Sequence, residues 1–479
     1  MQNHIWSIES RLLLIWNYVK SIFRTCLAQT VGIFVIVSSI ALVLLSRQTP
    51  VVWEEHFEIG QNLRTTGTLT IDNVPSVFRP PGYPGFVAAC LWVADHTHIS
   101  GRQPEERSSE RDMRTIMRAQ GLLLGLLAAA FFLATCLNCS PRFAAGISIL
   151  SALNPYSFAL ASLLSYHLLF MFTTSISAIF SMSLQKRQAS SWRLTFVSGV
   201  LWGVASLVKP VTLVMPLFFC ILAIRKPLRE IVKSTCVFSL GLMLVVGPYV
   251  TRNYCVTGRP IMSAQPGFGF WATSVKSMEP GESFLEWQPI WWERGMPLFS
   301  KVTGIDEYSR AALNANVVAL NSAFYAEARR NFALSPKVYV YNVMRNFCSF
   351  NLDTMQFWPH LLLFNGAQSN SLARYCSDIW MFAFLILSLG GVVWSAAKGD
   401  GEAWVVIAVY FLIVFTHAIT FSTQLYTCAR LPMVILGFML LMKRLTDTRE
   451  IQSGPVVAHC ITYAMTAWGA AATILAVIH

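Results

Sequence analysis

Long apolar runs dominate the pattern of hydrophobic and polar positions. Thr30 to Ser46 with its flanks, Gly121 to Leu137, Ile379 to Ala397 and Trp404 to Phe421 are the clearest. Runs of roughly 18 to 25 apolar residues cross about 30 Å of hydrocarbon as α-helices, so these segments predict membrane spans. The first stretch differs. From Ile5 to Ile22 apolar residues are spaced among Glu9, Arg11 and Lys20, with Arg24 just beyond, which predicts an interfacial helix ahead of the first span rather than a cleavable signal peptide.

Composition agrees with lipid as the main solvent. Hydrophobic residues make up 54% of the 479, charged residues only 13%, and the mean hydropathy is +0.52. A soluble domain carries about 25% charged residues. The net charge of +12 is explained by cations that set membrane orientation, and no basic run interleaved with aromatics points to nucleic acid. The 11 cysteines fall mostly inside apolar runs, where a thiol packs as a small hydrophobe. Cys136 and Cys139 form one CxxC, but a zinc site needs a second pair and none follows. Cys255, Cys348 and Cys376 lie in a long polar region, where one disulfide could form in an oxidising compartment.

The cations between the apolar runs define the topology. Arg142, then Lys186, Arg187 and Arg193, then Arg225, Lys226, Arg229 and Lys233, then Lys398, then Lys443, Arg444 and Arg449 cluster at hydrophobic edges, where the positive-inside rule places them in the cytoplasm. Each interval between clusters then holds an even number of crossings. Phe143 to Leu184, Leu194 to Ile224 and Trp404 to Met442 become hairpins with outward tips. Gly82 to Asp95 is short for a span and is laid in the outer interface, leaving Thr115 to Leu137 as the second crossing. About eleven spans result, with the N-terminus inside. Residues 48–114 and 251–377 face out, and amphipathic stretches such as Glu307 to Asn331 predict a small helical outer domain in the second.

The outward tips carry charges that ask for partners: Glu54 and Glu55, Arg79 in Arg79-Pro80-Pro81-Gly82-Tyr83-Pro84, Lys209, Arg252, and Arg430 with Tyr426. Each arm of the Lys209 hairpin has only about 15 residues, or roughly 22 Å, so Lys209 should line a cavity below the outer surface. Intramembrane charge is a functional hypothesis by default. Carboxylates beside fixed cations at membrane depth suit group transfer from a lipid-linked phosphate. The cations hold the leaving phosphate while a glutamate takes the proton of an incoming hydroxyl or amine.

At these residues the chain resembles the GT-C superfamily of polyprenyl-phosphate-sugar glycosyltransferases, in the branch of bacterial protein O-mannosyltransferases and lipid A aminoarabinose transferases. The resemblance covers most of the first 270 residues and the region of Arg430. It rests on the run Glu54-Glu55-His56-Phe57-Glu58-Ile59-Gly60-Gln61-Asn62-Leu63 followed by Gly67, the Arg79 to Pro84 motif, Asn154-Pro155, Lys209-Pro210, Pro248 with Arg252-Asn253-Tyr254, and Tyr426 with Arg430 and Pro432. It implies an all-α polytopic fold with interfacial helices in the first outer loop. The expected units are a GT-C-like module over 1–250 with its catalytic loop at 48–114, an outer segment over 251–377, and C-terminal spans over 378–479. It further implies an inverting transfer at the outer face of a bacterial inner membrane, from a polyprenyl-phosphate sugar to a lipid, glycan or protein acceptor. Glu54 or Glu55 is then the base, and Arg79, Tyr83, Lys209, Arg252, Tyr426 and Arg430 bind donor phosphate or substrate. No cofactor is required, and no HxxxH or HExxH pattern supports a divalent metal.

Two departures stand out. The family usually places Asp where this chain has Glu, and an acidic residue at the outer end of the fourth span, where this chain reads Ser165-Tyr166-His167. Between the adjacent glutamates, which diverge by about 100° on a helix, Glu54 is favoured as base because it shares a face with Phe57 and Gln61. Asp72 is the next candidate. A flippase of lipid-linked saccharide and an inactive membrane scaffold are the competing readings. The topology predicts that a cysteine at Gly101 is labelled from the side of the membrane opposite to one at Ala189. Labelling of both from one side would overturn it.

Overall fold

The computed structural model describes residues 25–52, 55–97, 109–136, 140–186, 191–217, 227–264, 266–275, 295–352, 371–419, 430–447, 457–458, 460–462 and 464–468. The expected interfacial helix Ile5 to Ile22 lies outside them. Among the described residues six helices are long and apolar enough to cross a membrane. They are α1 (Thr25–Ser46), α4 (Ser109–Cys136), α7 (His167–Lys186), α9 (Leu228–Thr257), and the spans within α15 (Ser371–Ala397) and α16 (Gly401–Ile419). The broken pair α5 (Pro141–Ala152) and α6 (Pro155–Ser162), bent by 48°, makes up to a seventh, and α8 (Trp192–Val208) is a shorter apolar helix. The chain is an all-α integral membrane protein; the expected count of about eleven spans goes beyond what the described residues test.

Helices α8 and α9 touch backbone to backbone. A Cβ added at Gly199 would lie 2.0 Å from the Phe238 carbonyl oxygen, and one at Gly241 would lie 2.3 Å from that of Phe196. Hydrocarbon supplies no hydrophobic drive between helices, so close van der Waals packing across small residues holds such a seam.

The interval expected to be a hairpin, Phe143 to Leu184, is α5, α6, a two-residue strand β4 (Leu163–Leu164) and α7. Asn154-Pro155 sets the break. Proline at the first helical turn lacks only an N–H that would be orphaned anyway, and the Asn154 side chain accepts from the Ser157 N–H at 2.9 Å as N-cap. Strand β4 pairs in parallel with β1 (Val51–Val52), Val51 opposite Leu163 and Val52 opposite Leu164. This ladder brings the start of the first loop beside Ser165-Tyr166-His167.

Beyond β1 the first loop folds as α2 (His56–Thr66), a hairpin of β2 (Thr70–Ile71) and β3 (Val74–Pro75), and α3 (Gly82–His96). Asp72 and Asn73 turn the hairpin at φ 48° and 63°, the left-handed region those two side chains tolerate. The run expected to lie in the interface is α3, whose 15 residues reach about 22 Å at 1.5 Å each.

A second unit follows α9: α10 (Pro266–Ser274), α11 (Met296–Thr303), α12 (Arg310–Ala315), α13 (Val317–Leu334) and α14 (Pro336–Leu352). Trp271, Phe299, Leu320 and Phe324 form its own apolar core. Glu307 to Asn331, expected to be amphipathic, falls on α12 and α13. Helices α15 and α16 and the final helix α17 (Leu431–Asp447) complete the bundle, and its edge cations find carboxylates: Lys443 pairs with Glu402 at 2.6 Å and Arg444 with Asp400. Cys255 and Cys376 are free thiols, and Cys136 Sγ lies 3.3 Å from Cys26 Sγ.

Replacing Gly199 by Val should prise α8 from α9, at a cost of about 1–3 kcal/mol for overpacking. Gly32→Val is the control, because an added Cβ there meets nothing within 4 Å. The expected result is a lower Tm of purified protein for the first variant and an unchanged Tm for the second.

Candidate functional site at one end of the bundle

The first loop supplies an acidic edge and the arginine that answers it. Glu55 precedes α2, and Arg79 Nε donates to its Oε2 at 2.8 Å, both side chains nine-tenths or nearly so removed from solvent. Arg79 is held from behind: its carbonyl accepts from the Tyr249 hydroxyl at 3.0 Å, and its guanidinium lies over the Phe78 ring at 4.6 Å. Gly82 explains why the arginine motif ends in glycine. A Cβ there would come within 2.7 Å of the Leu207 carbonyl and the Val208 nitrogen, so only glycine lets this turn seat on the end of α8, directly before Lys209.

Lys209 caps α8 in extended backbone, ahead of a 3₁₀ turn at Pro210–Val214. Its ammonium donates to His417 Nε2 at 2.8 Å and lies 5.5 Å and 5.6 Å from the Tyr166 and Phe170 ring centroids. Tyr166 is the common neighbour of both halves. Its ring meets His56 edge-on at 5.2 Å and stacks on His167 at 4.2 Å, while His56 also meets Tyr83 at 5.8 Å. Serine 165 hydrogen-bonds His167 Nδ1 at 2.7 Å.

Two buried polar residues of α4 lock this arrangement. The Gln120 amide nitrogen donates to the carbonyls of Ala161 and Leu163 at 2.8 and 2.9 Å, and its oxygen accepts from Tyr83 at 2.8 Å. Burial raises the Tyr83 phenol well above its ordinary value, so it remains a donor. Two turns earlier Asp112 accepts from Gln61 at 3.2 Å and sits 3.5 Å from Arg64, which is 3.7 Å from Asp95; α2, α3 and α4 meet there.

The second unit reaches the same loop. Arg310 Nη1 pairs with Glu58 at 2.8 Å and Nη2 approaches Asp72 at 3.8 Å. The phenol of Tyr308 is raised by burial and by Glu55, against the opposing pull of Arg79 and Arg310, which places it in the field of the Glu55–Arg79 pair.

Glu55 thus pairs with Arg79, and the rings of His56 and Tyr166 run between Tyr83 and Lys209. Arg252 stands behind them: it donates to the Ser76 and Leu69 carbonyls and to Asn253 Oδ1 at 2.8, 3.1 and 2.9 Å, tying residues 69–79 to α9. Arg430 is buried at the head of α17, close enough to Tyr410 to act on it electrostatically. Glu54 and Tyr426 lie outside the described residues. Among the described residues no group of three His, Cys, Asp or Glu side chains could hold a metal ion. Sequence reading missed His417, Gln120 and Tyr308. A polar side chain within an apolar run was the available signal for the first two; nothing in sequence marks the third.

Tyr83→Phe should leave the buried Gln120 oxygen short of its donor and cost about 1–3 kcal/mol, whereas Arg310→Ala should cost under about 1 kcal/mol because its pair is exposed. Thermal unfolding of both variants checks the order.

No family model and no curated protein matches the sequence. Solved structures do match. The archaeal oligosaccharyltransferase AglB from Archaeoglobus fulgidus, solved with an inhibitory peptide and a dolichol-phosphate, aligns over 94% of this chain and 56% of its own, at TM-score 0.50 and 11% identity. ArnT from Cupriavidus metallidurans bound to undecaprenyl phosphate aligns over 87% of this chain and 78% of its own, at TM-score 0.41 and 14% identity. The chain therefore spans little more than half the length of the archaeal protein. At 11% identity the likeness is one of fold: the chain shares the overall fold of the archaeal protein.

Proposed function

We propose that this protein is a membrane glycosyltransferase that moves a sugar from a polyprenyl-phosphate donor to a lipid, glycan or protein acceptor, with inversion. The observation that carries the reading is that Tyr166 links the two charged pairs: Lys209, bonded to His417, lies over its ring, and His56, next to Glu55 of the Glu55–Arg79 pair, meets its edge. On this reading the carboxylate edge and the two cations serve one site, which is what transfer from a phosphate ester needs. The acceptor hydroxyl or amine attacks the anomeric carbon and gives its proton to a glutamate. The bond from that carbon to the phosphate oxygen breaks, and Arg79 and Lys209 stabilise the charge left on the phosphate. Arg252 and Gln120 act at one remove, holding the loop and the helix break in place. In this reading the site lies at the outer end of the bundle, opposite Lys186, a sidedness that the positive-inside rule supports, and the outer space is the periplasm of a bacterial inner membrane.

The pairing of Glu55 with Arg79 divides the labour between the two glutamates. The Glu55 carboxylate is engaged by the Arg79 guanidinium at 2.8 Å. Glu54 is then the base and Glu55 the residue that aims Arg79.

The test is release of free polyprenyl phosphate from a panel of polyprenyl-phosphate sugars by purified protein in lipid. Glu54→Gln should cut turnover by about 10²- to 10⁴-fold with donor binding retained. Glu55→Gln should cost far less, since an amide oxygen still accepts from Arg79. Equal, small effects would overturn the base assignment, and movement of intact donor across the bilayer without release would favour a transporter.

A further inference from the structure

His417 belongs to no motif, yet it is 3% exposed inside α16 and both its ring nitrogens are engaged. Its Nδ1 lies 2.6 Å from the Ile413 carbonyl oxygen, one turn back. A carbonyl only accepts, so Nδ1 carries the hydrogen. In a neutral imidazole the other nitrogen then has a lone pair, and the Lys209 ammonium donates to it at 2.8 Å. A doubly protonated ring would instead set an N–H against the ammonium. The backbone of α16 thereby fixes the tautomer, and the tautomer fixes the lysine.

We propose that His417 is the positioning residue for Lys209, holding the ammonium over Tyr166 and Phe170 in the orientation that receives the donor's phosphate. The inference rests on the glycosyltransferase reading and assigns to that site a residue outside the first loop. A lysine head on a four-carbon stem has many rotamers, and two ring faces attract it without giving it a direction. A directed acceptor supplies the direction. A single acceptor does not exhaust an ammonium, which has three N–H donors. His417 and Lys209 come from helices far apart in sequence, and His167, stacked on Tyr166, lies near enough to act electrostatically on His417. The anion would thus meet a cation whose direction is set before binding, which lowers the cost of ordering the site when ligand arrives.

Binding of undecaprenyl phosphate to the full chain in nanodiscs tests this, with undecaprenol as the uncharged control. His417→Phe keeps a ring but removes the acceptor and should raise the Kd for undecaprenyl phosphate about tenfold. His417→Gln keeps an acceptor and should stay within about threefold. In a Lys209→Ala background the effect of His417→Phe should vanish, which a purely structural role would not produce. If the wild type holds the phosphate no more tightly than the alcohol, the functional reading falls and this inference with it. If the wild type prefers the phosphate, Lys209→Ala loses that preference and His417→Phe keeps it, the positioning role alone is overturned. Should His417→Phe fail to fold, His417→Gln still decides: a tenfold loss with the acceptor retained overturns the proposal, and near-wild-type affinity beside a weakened His417→Leu supports it.

Discussion

Broken helices inside a membrane bundle leave backbone carbonyls that lipid cannot satisfy, and the functional end of this protein depends on how that need is met. Between α6 and α7 the chain runs as strand and loop, tolerated only where protein supplies the missing partners. The Gln120 amide does so for Ala161 and Leu163, and β1 does so through its parallel ladder with β4. Tyr166 and His167 are placed by these contacts, and with them the ring cluster that joins His56, Tyr83 and Lys209. Buried amides are costly unless paired, so each interaction that holds the break also restricts its geometry.

The charges divide into two kinds. At the ends of α16 and α17, Glu402 with Lys443 and Asp400 with Arg444 neutralise one another and leave little over for a ligand. Toward the first loop the partners differ in kind: Arg79 meets the Glu55 carboxylate, while the contacts of Lys209 include the His417 imidazole and the Tyr166 and Phe170 rings.

Arg252 is also part of the scaffold. Its position after α9 marked it as an outward cation needing a partner, and the partners are carbonyls of residues 69 and 76 and the neighbouring Asn253. Together with Tyr249, which holds the Arg79 carbonyl, it makes the end of α9 the wall on which the first loop is built. The contacts of Arg310 with Glu58 and Asp72 close the loop from the other side, so two distant segments shape a motif that is continuous in sequence.

Sequence alone determined the solvent, the helical class and the short α3, because these follow from local hydropathy and the length of each apolar run. It also marked Gly82 within a motif without revealing that the glycine is there to seat Arg79 against the end of α8. Tertiary structure decided the rest. The pairing of Lys209 with His417, the stitching by Gln120, the approach of Tyr308 and the carbonyl contacts of Arg252 each join residues remote along the chain, and a side chain's partner across such a distance is set by how helices pack, which no local pattern records.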